Sequence, residues 1–458
     1  MENTVNLQTL EIEFANREKQ IIEDWMTFVR FPSVSTDPAH HQDCIDCAGW
    51  IVDRLRRDGF HTELARTRTK PFVFAERPGK PGKPTVLFYG HYDVQPADPI
   101  DAWTSPPFSP EWRDGRLYAR GAQDNKGQVF YTLAAIETLL AAGALDIGLK
   151  ILIEGEEECS STGLNETLES WRDRLQADIL MVHDVLTVPS GAPTIVMGLR
   201  GLVQINAELN GADHDLHSGV HGGLAPNTAQ GMAQLAASLF HGDGRVAVPG
   251  FYDGVTAAST RETDLARVIP FDAAAYRRQT GTTPDGGIRT AAPFERTGFL
   301  PSLDINGIHS GYGGSGSKTI IPAAAILKLT ARLVPGQDPQ TVLDAVTGHL
   351  ARHTPPGMRL TITDSGVGGP GFRLNPDSGL VATAQAALST VCPGQPVAFL
   401  WEGASIPIVV RLAAASGAAP LLVGFGHESD RIHAPDESFS LKQFRTGFLY
   451  SALILQQF

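Results

Sequence analysis

Residues 84–96, PTVLFYGHYDVQP, join an apolar run of strand length to a loop that carries His91 and Asp93. A lone His-x-Asp occurs by chance, but charged loops gathered at the ends of several buried strands point to a site at the carboxyl edge of a sheet. The same grammar recurs along the chain. LKILIEG leads to Glu156, Glu157 and Glu158, ADILMVH leads to Asp184, and PLLVGFG precedes a loop with His427 and His433. Between these runs lie helical spacings, at about 12–29, 44–58 and in KGQVFYTLAAIETLLAAG, the last preceded directly by Asp124 in RGAQDNKG. Strand and helix alternate, which predicts an α/β layer with a mostly parallel sheet.

Beyond about Arg200 the pattern changes. GLVQINAELNG and AAAILKLTARLVPG alternate with period two, a helix is expected from near Pro226 and another over Pro339 to Arg352, and MRLTITDS reads as a further strand. A Gly, Pro and Thr-rich stretch fills about 242–300. The organisation expected is a first part at 1–199, an inserted α+β domain at 200–374 and a return to the first at 375–458, through a helix, the strand PLLVGFG and a final helix.

The 458 residues suit two or three domains at about 150 residues each. With 42% hydrophobic and 19% charged residues the composition is globular, and the net charge of −13 argues against nucleic acid or an anionic membrane as partner. No apolar run of membrane-spanning length occurs, and the mixed polar N-terminus does not resemble a secretory signal. Four cysteines are too few for a disulfide scaffold, so a cytoplasmic location is expected.

Charged groups at the ends of buried strands destabilise the fold unless they are paired or bind metal. Two imidazoles with several carboxylates match Zn, Mn or Co better than calcium. The other short motifs carry less. In GYGGSGSKT, Ser317 interrupts the phosphate-loop pattern and Pro322 forbids an immediate helix. HESDRIH lacks the i, i+4 spacing of a zinc helix, and Cys44 with Cys47 has no second pair to complete a zinc site, so a buried helical pair is expected.

YGHYDVQP, YARGAQDNKG, EGEEECSS, DLHSGVHGG, SGSKTIIP, ARLVPG, EGASIP and HAPDE occur in the order found in the M20 metallopeptidases, and the chain most resembles their dipeptidase branch, of the carnosine and cytosolic nonspecific dipeptidase type. That resemblance implies a di-metal hydrolase domain carrying a lid that dimerises. It implies two divalent ions, Zn or else Mn or Co, with His91 and Asp184 on one, Glu158 and His433 on the other, and Asp124 bridging through a loop whose Asp124–Asn125 peptide is cis. Glu157 matches the general base and Asp93 the residue that orients His91. His433 fits the His-x-x-Asn/Asp-Glu register as HAPDE, whereas His427 does not, and the same register leaves Glu156 a spectator, solvated or hydrogen-bonded.

In the inserted domain, His217 matches a histidine that reaches the partner subunit's active site, and Arg332 matches a clamp for the substrate carboxylate. Ser405 and Gly403 of EGASIP match substrate-contacting positions. Trp401 and Ala404 stand where the branch has Arg and Gly. The implied activity is hydrolysis of dipeptides or similar small amides with a free carboxylate. An N-acyl amino acid amidohydrolase or carboxypeptidase is the alternative within the family, and a catalytically inactive metal-binding protein the alternative outside it. Retention of Glu157 beside all five ligands favours an enzyme.

Overall fold

The computed structural model describes residues 5–458. Contacts within the chain divide them into two units: one made of residues up to Met197, Leu374–Leu400 and Arg411–Phe458, the other of Gly198–Arg373 and Trp401–Val410. The EGASIP loop therefore groups with the second unit, not with the stretch of sequence around it.

In the first unit the strand Thr85–His91 lies inside the sheet, between Gly148–Glu154 and Ile179–Val182, and is parallel to both. Ala419–Leu422 continues the parallel set beside Ile179–Val182. Phe72–Arg77 and His61–Ala65 extend the other margin in antiparallel fashion. Strands covered on both faces read as unbroken apolar runs, and Val86 to Tyr89 and Ile151 to Ile153 are fully buried. The helix Lys126–Ala141 is buried around nearly its whole circumference, as an all-round apolar sequence requires. Leu441–Gln457 packs with the first helix, Leu7–Val29, through Phe448 on Phe14 and Phe444 on Trp25, with ring centroids 5.0 and 4.6 Å apart.

The second unit is built on an antiparallel sheet in the order Ser302–Ser310, Ala324–Leu333, Gly201–Asn210, Arg359–Gly369. Val203, Ile205, Ala207 and Leu209 alternate inward and meet Met232 and Leu235 of Thr228–Ser238 and Val346 and Leu350 of Pro339–Arg352 in one core. The stretch read as Gly, Pro and Thr-rich in fact holds three short helices, Thr260–Arg267, Ala273–Thr280 and Pro293–Gly298. They are polar and largely exposed, so they show no apolar period. Ser302–Ser310 also escaped the periodicity, because most of its residues are exposed on an edge. Two elements near the C-terminus, Ala398–Trp401 and Pro407–Ser416, were likewise unforeseen.

Candidate active site

The parallel strands deliver their charged loops to one edge of the sheet. His91 is the last residue of its strand, Glu157 and Glu158 form a single turn three residues beyond Glu154, and Asp184 follows Val182 by two. Asp124 sits at the entrance of the buried helix, where its peptide bond to Asn125 is cis. Gly90 allows that helix to approach, since a Cβ there would lie 2.5 Å from Val129 Cγ2 and 3.0 Å from Asn125 Oδ1.

Asp93 fixes the geometry of one half. Its backbone oxygen lies 3.0 Å and its carboxylate 3.3 Å from His91 Nδ1, which assigns a proton to that nitrogen and, in the neutral ring, leaves Nε2 with its lone pair. The same carboxylate accepts the backbone N–H groups of Glu157 and Glu158 at 3.2 and 3.1 Å. One fully buried side chain thus aligns His91 with the glutamate turn.

His91 Nε2 faces Asp124 Oδ1 at 3.3 Å and Asp184 Oδ2 at 3.8 Å. On the other side of Asp124, Oδ2 lies 2.9 Å from His433 Nε2, which is itself 3.3 Å from Glu158 Oε1. Ligand-type atoms of His91, Asp124 and Asp184, and likewise of Asp124, Glu158 and His433, lie within 4.8 Å of one another. Asp124 belongs to both groups. His427 is not among them; its backbone N–H is tied to Asp430 at 2.7 Å.

The electrostatics describe a cation site. Burial pushes the pKa of Glu157 well up, and although His91 opposes this, Asp184, Glu158 and Asp93 add to it. Burial and Asp124 likewise raise Glu158. Burial disfavours a charged His91, yet Asp184, Asp124 and Asp93 outweigh it and raise its pKa. Hydrogen bonds from His433 to Asp124 and Glu158 push His433 up to about 10. Carboxylates here outnumber imidazoles, and the buried Glu158 Oε1 faces His433 Nε2 at 3.3 Å. Such an excess of buried negative charge is relieved by a metal ion, and the mixed imidazole and carboxylate donors suit Zn, Mn or Co.

Several supporting residues carry no local sequence signal. Gln95 donates to Glu158 Oε2 at 2.7 Å. Asn125 donates to Asp184 Oδ1 at 3.0 Å and accepts the backbone N–H of His91 at 3.3 Å. Glu156, one of whose expected places was in solvent, is 2% exposed and accepts from Thr69 Oγ1 at 2.5 Å and from the backbone N–H groups of Gly163 and Leu164. It caps the helix Thr162–Leu175, a favourable place for a negative charge.

The other expected residues belong to the second unit. Arg332 is half-buried and donates from Nη1 to Ser405 Oγ at 2.9 Å. Arg200 donates from Nε to the Gly403 carbonyl at 2.8 Å, and its backbone oxygen accepts from Ser405 Oγ. Burial and the like charge of Arg332 push the pKa of Arg200 down to about 10. His217 is exposed, on the short strand Leu216–His217, and its Nδ1 accepts from Gly219 N–H at 3.0 Å. Its Nε2 is therefore the protonated, donating nitrogen. Trp401 is buried against Phe299, with ring centroids 5.0 Å apart.

The model of peptidase family M20/M25/M40 matches residues 87–457. The chain belongs to the M20 peptidase family. It is a hydrolase of that metallopeptidase class, and its mostly parallel α/β sheet is the family's. It is 29% identical to the human Beta-Ala-His dipeptidase over 95% of this chain and 89% of that one. It is 28% identical to the Cys-Gly metallodipeptidase DUG1 of Candida albicans, over 96% and 95%. Among solved structures, the M20 family metallo-carboxypeptidase Sso-CP2 from Sulfolobus solfataricus superposes with a TM-score of 0.84 at 28% identity, covering 95% of this chain and 98% of that one.

Proposed function

We propose that the protein is a two-metal dipeptidase that hydrolyses the amide bond of dipeptides or similar small substrates bearing a free carboxylate. The observation that carries this reading is the pair of ligand groups sharing Asp124. His91 and Asp184 would hold one ion, Glu158 and His433 the other, and Asp124 both. Bound there, divalent ions lower the pKa of water toward neutrality and polarise a scissile carbonyl. Glu157 takes the proton of the attacking water and passes it to the leaving amine. Arg332, steadied by Ser405, receives the substrate carboxylate, a task suited to a planar guanidinium with several donors. Gly403, in the same loop as Ser405, would contact the substrate beside that clamp; its carbonyl accepts from Arg200 Nε at 2.8 Å.

The names of the human and Candida relatives favour dipeptides. The likeness to a metallo-carboxypeptidase supports a second reading, in which a carboxyl-terminal residue is released from a longer chain or from an N-acyl amino acid. A panel of dipeptides, N-acyl amino acids and longer peptides, assayed with Zn, Mn and Co, separates the two. Dipeptides are expected to be the best substrates, and chelation to abolish turnover that added metal then restores. Turnover that survives exhaustive chelation would exclude the metal-dependent reading.

The reading includes a homodimer in which His217 of one copy serves the other copy's site, its Nε2–H meeting the oxyanion as charge develops. The nine-residue edge strand Ser302–Ser310, with Ile305 and Ile308 exposed, offers a surface for such pairing. Mixing His217→Ala with Glu157→Gln protein should then regenerate activity. At random exchange, half the dimers are mixed and each has one intact site, so recovery approaches about a quarter of wild type. Proven exchange without recovery would exclude donation between copies. A cytoplasmic location completes the reading, supported by four free cysteines. No helix among the described residues is long and apolar enough to cross a membrane.

A further inference from the structure

We propose that Glu437 is a positioning residue for the metal centre, holding the loop that presents Asp124 to His91 and His433 together; the proposal rests on the metal-binding reading of that site. Glu437 is completely buried. Its Oε1 accepts the backbone N–H groups of Gln123 and Asp124, both at 3.0 Å. Its Oε2 accepts Gly121 N–H at 2.9 Å and Arg120 Nη1 at 2.7 Å. The Glu437 backbone oxygen takes Ala119 N–H at 3.1 Å. One residue thereby accepts four of the six backbone amides from Ala119 to Asp124.

Only a carboxylate can do this, because each of its oxygens accepts two donors and it carries none of its own. Its buried charge is matched by Arg120, 1% exposed, whose Nη2 donates to the Pro96 carbonyl at 3.2 Å. That bond ties the clamp to the HYDVQP loop of His91. Glu437 also stands four residues after His433, so one short segment supplies a ligand and fixes the backbone of the ligand opposite. The loop has no slack: Gly121 has a φ of +81°, and a Cβ there would lie 2.6 Å from Val94 Cγ1. Since Oε1 holds the amide of Asp124 itself, losing it moves the carboxylate shared by both ligand groups.

The test uses full-length protein stripped of metal and titrated with Co²⁺, followed by visible absorption, alongside thermal unfolding of the metal-free form. Glu437→Gln keeps the shape but turns an NH₂ toward N–H donors. It is expected to weaken Co²⁺ binding by about 10- to 100-fold, the range typical for residues that orient metal ligands, and to alter the absorption band. Glu437→Asp keeps the charge and the Arg120 pair but falls one methylene short, and should fall between the two. Lowered thermal stability with wild-type Co²⁺ affinity and spectrum would overturn the proposal, making Glu437 a purely structural residue. Failure of both variants to fold would overturn it too. If wild-type protein itself gave no Co²⁺ band, the metal reading would fail first and Glu437 with it.

Discussion

Replacing Glu157 by glutamine is expected to lower kcat by about 10²- to 10⁴-fold, the usual worth of a general base, while metal content stays at the wild-type level. The substitution is nearly isosteric, and the interaction that places the residue is made by its backbone: the Glu157 N–H is held by Asp93 at 3.2 Å whatever the side chain. Glutamine therefore occupies the same place but cannot accept a proton. Glu157 belongs to neither ligand group, so the amide removes a proton acceptor without removing a ligand. Burial first, then Asp184, Glu158 and Asp93, raise its pKa against the pull of His91. Neutralising the neighbouring carboxylates removes their share of that push and favours the ionised, proton-accepting form of Glu157. The decisive measurement pairs elemental analysis with steady-state kinetics. Near-wild-type kcat with full metal occupancy would remove Glu157 from the reaction.

The parts legible in the sequence share a physical reason. A strand buried on both faces must be apolar throughout, so Val86 to Tyr89 and Ile151 to Ile153 announced themselves as runs, and the charged residues that end them stood out by contrast. Choosing His433 over His427 needed the register of a motif, since composition gave no reason to prefer either. What stayed hidden acts across sequence separation or without periodicity. Glu437 bonds to amides more than 300 residues away, Gln95 to a glutamate 63 residues on, and Asn125 to Asp184 59 residues on. Such bonds leave no local pattern. Register set Glu156 apart as a spectator, solvated or hydrogen-bonded, and the chain turns so that its carboxylate faces inward and accepts amides at a helix end. The helix Thr260–Arg267 did leave a trace, Ser259 and Glu262 in capping-box spacing, which its polar, exposed surroundings obscured.

Amidating the substrate's C-terminus is expected to lower kcat/KM by about 2 to 4 kcal/mol, the scale for deleting one partner of a desolvated charge pair. The structure supplies the reason in two like charges held close together. Arg332 is half-buried and spends Nη1 on Ser405 Oγ, leaving further donors on the guanidinium. Its charge helps depress the pKa of Arg200, which is itself anchored on the Gly403 carbonyl. A carboxylate arriving there would offset one of the two positive charges and accept from the remaining N–H groups, whereas an amide brings no charge and one acceptor fewer. Arg332→Ala should therefore cost a similar amount with the free acid and little more with the amidated substrate, because the two changes delete the same interaction. A double-mutant cycle over enzyme and substrate measures this directly, and a coupling energy near zero would place the carboxylate elsewhere. If the amidated substrate is cleaved as fast as the acid, no clamp operates. Recognition would then rest on the amino end of the substrate, and the protein would act as an aminopeptidase.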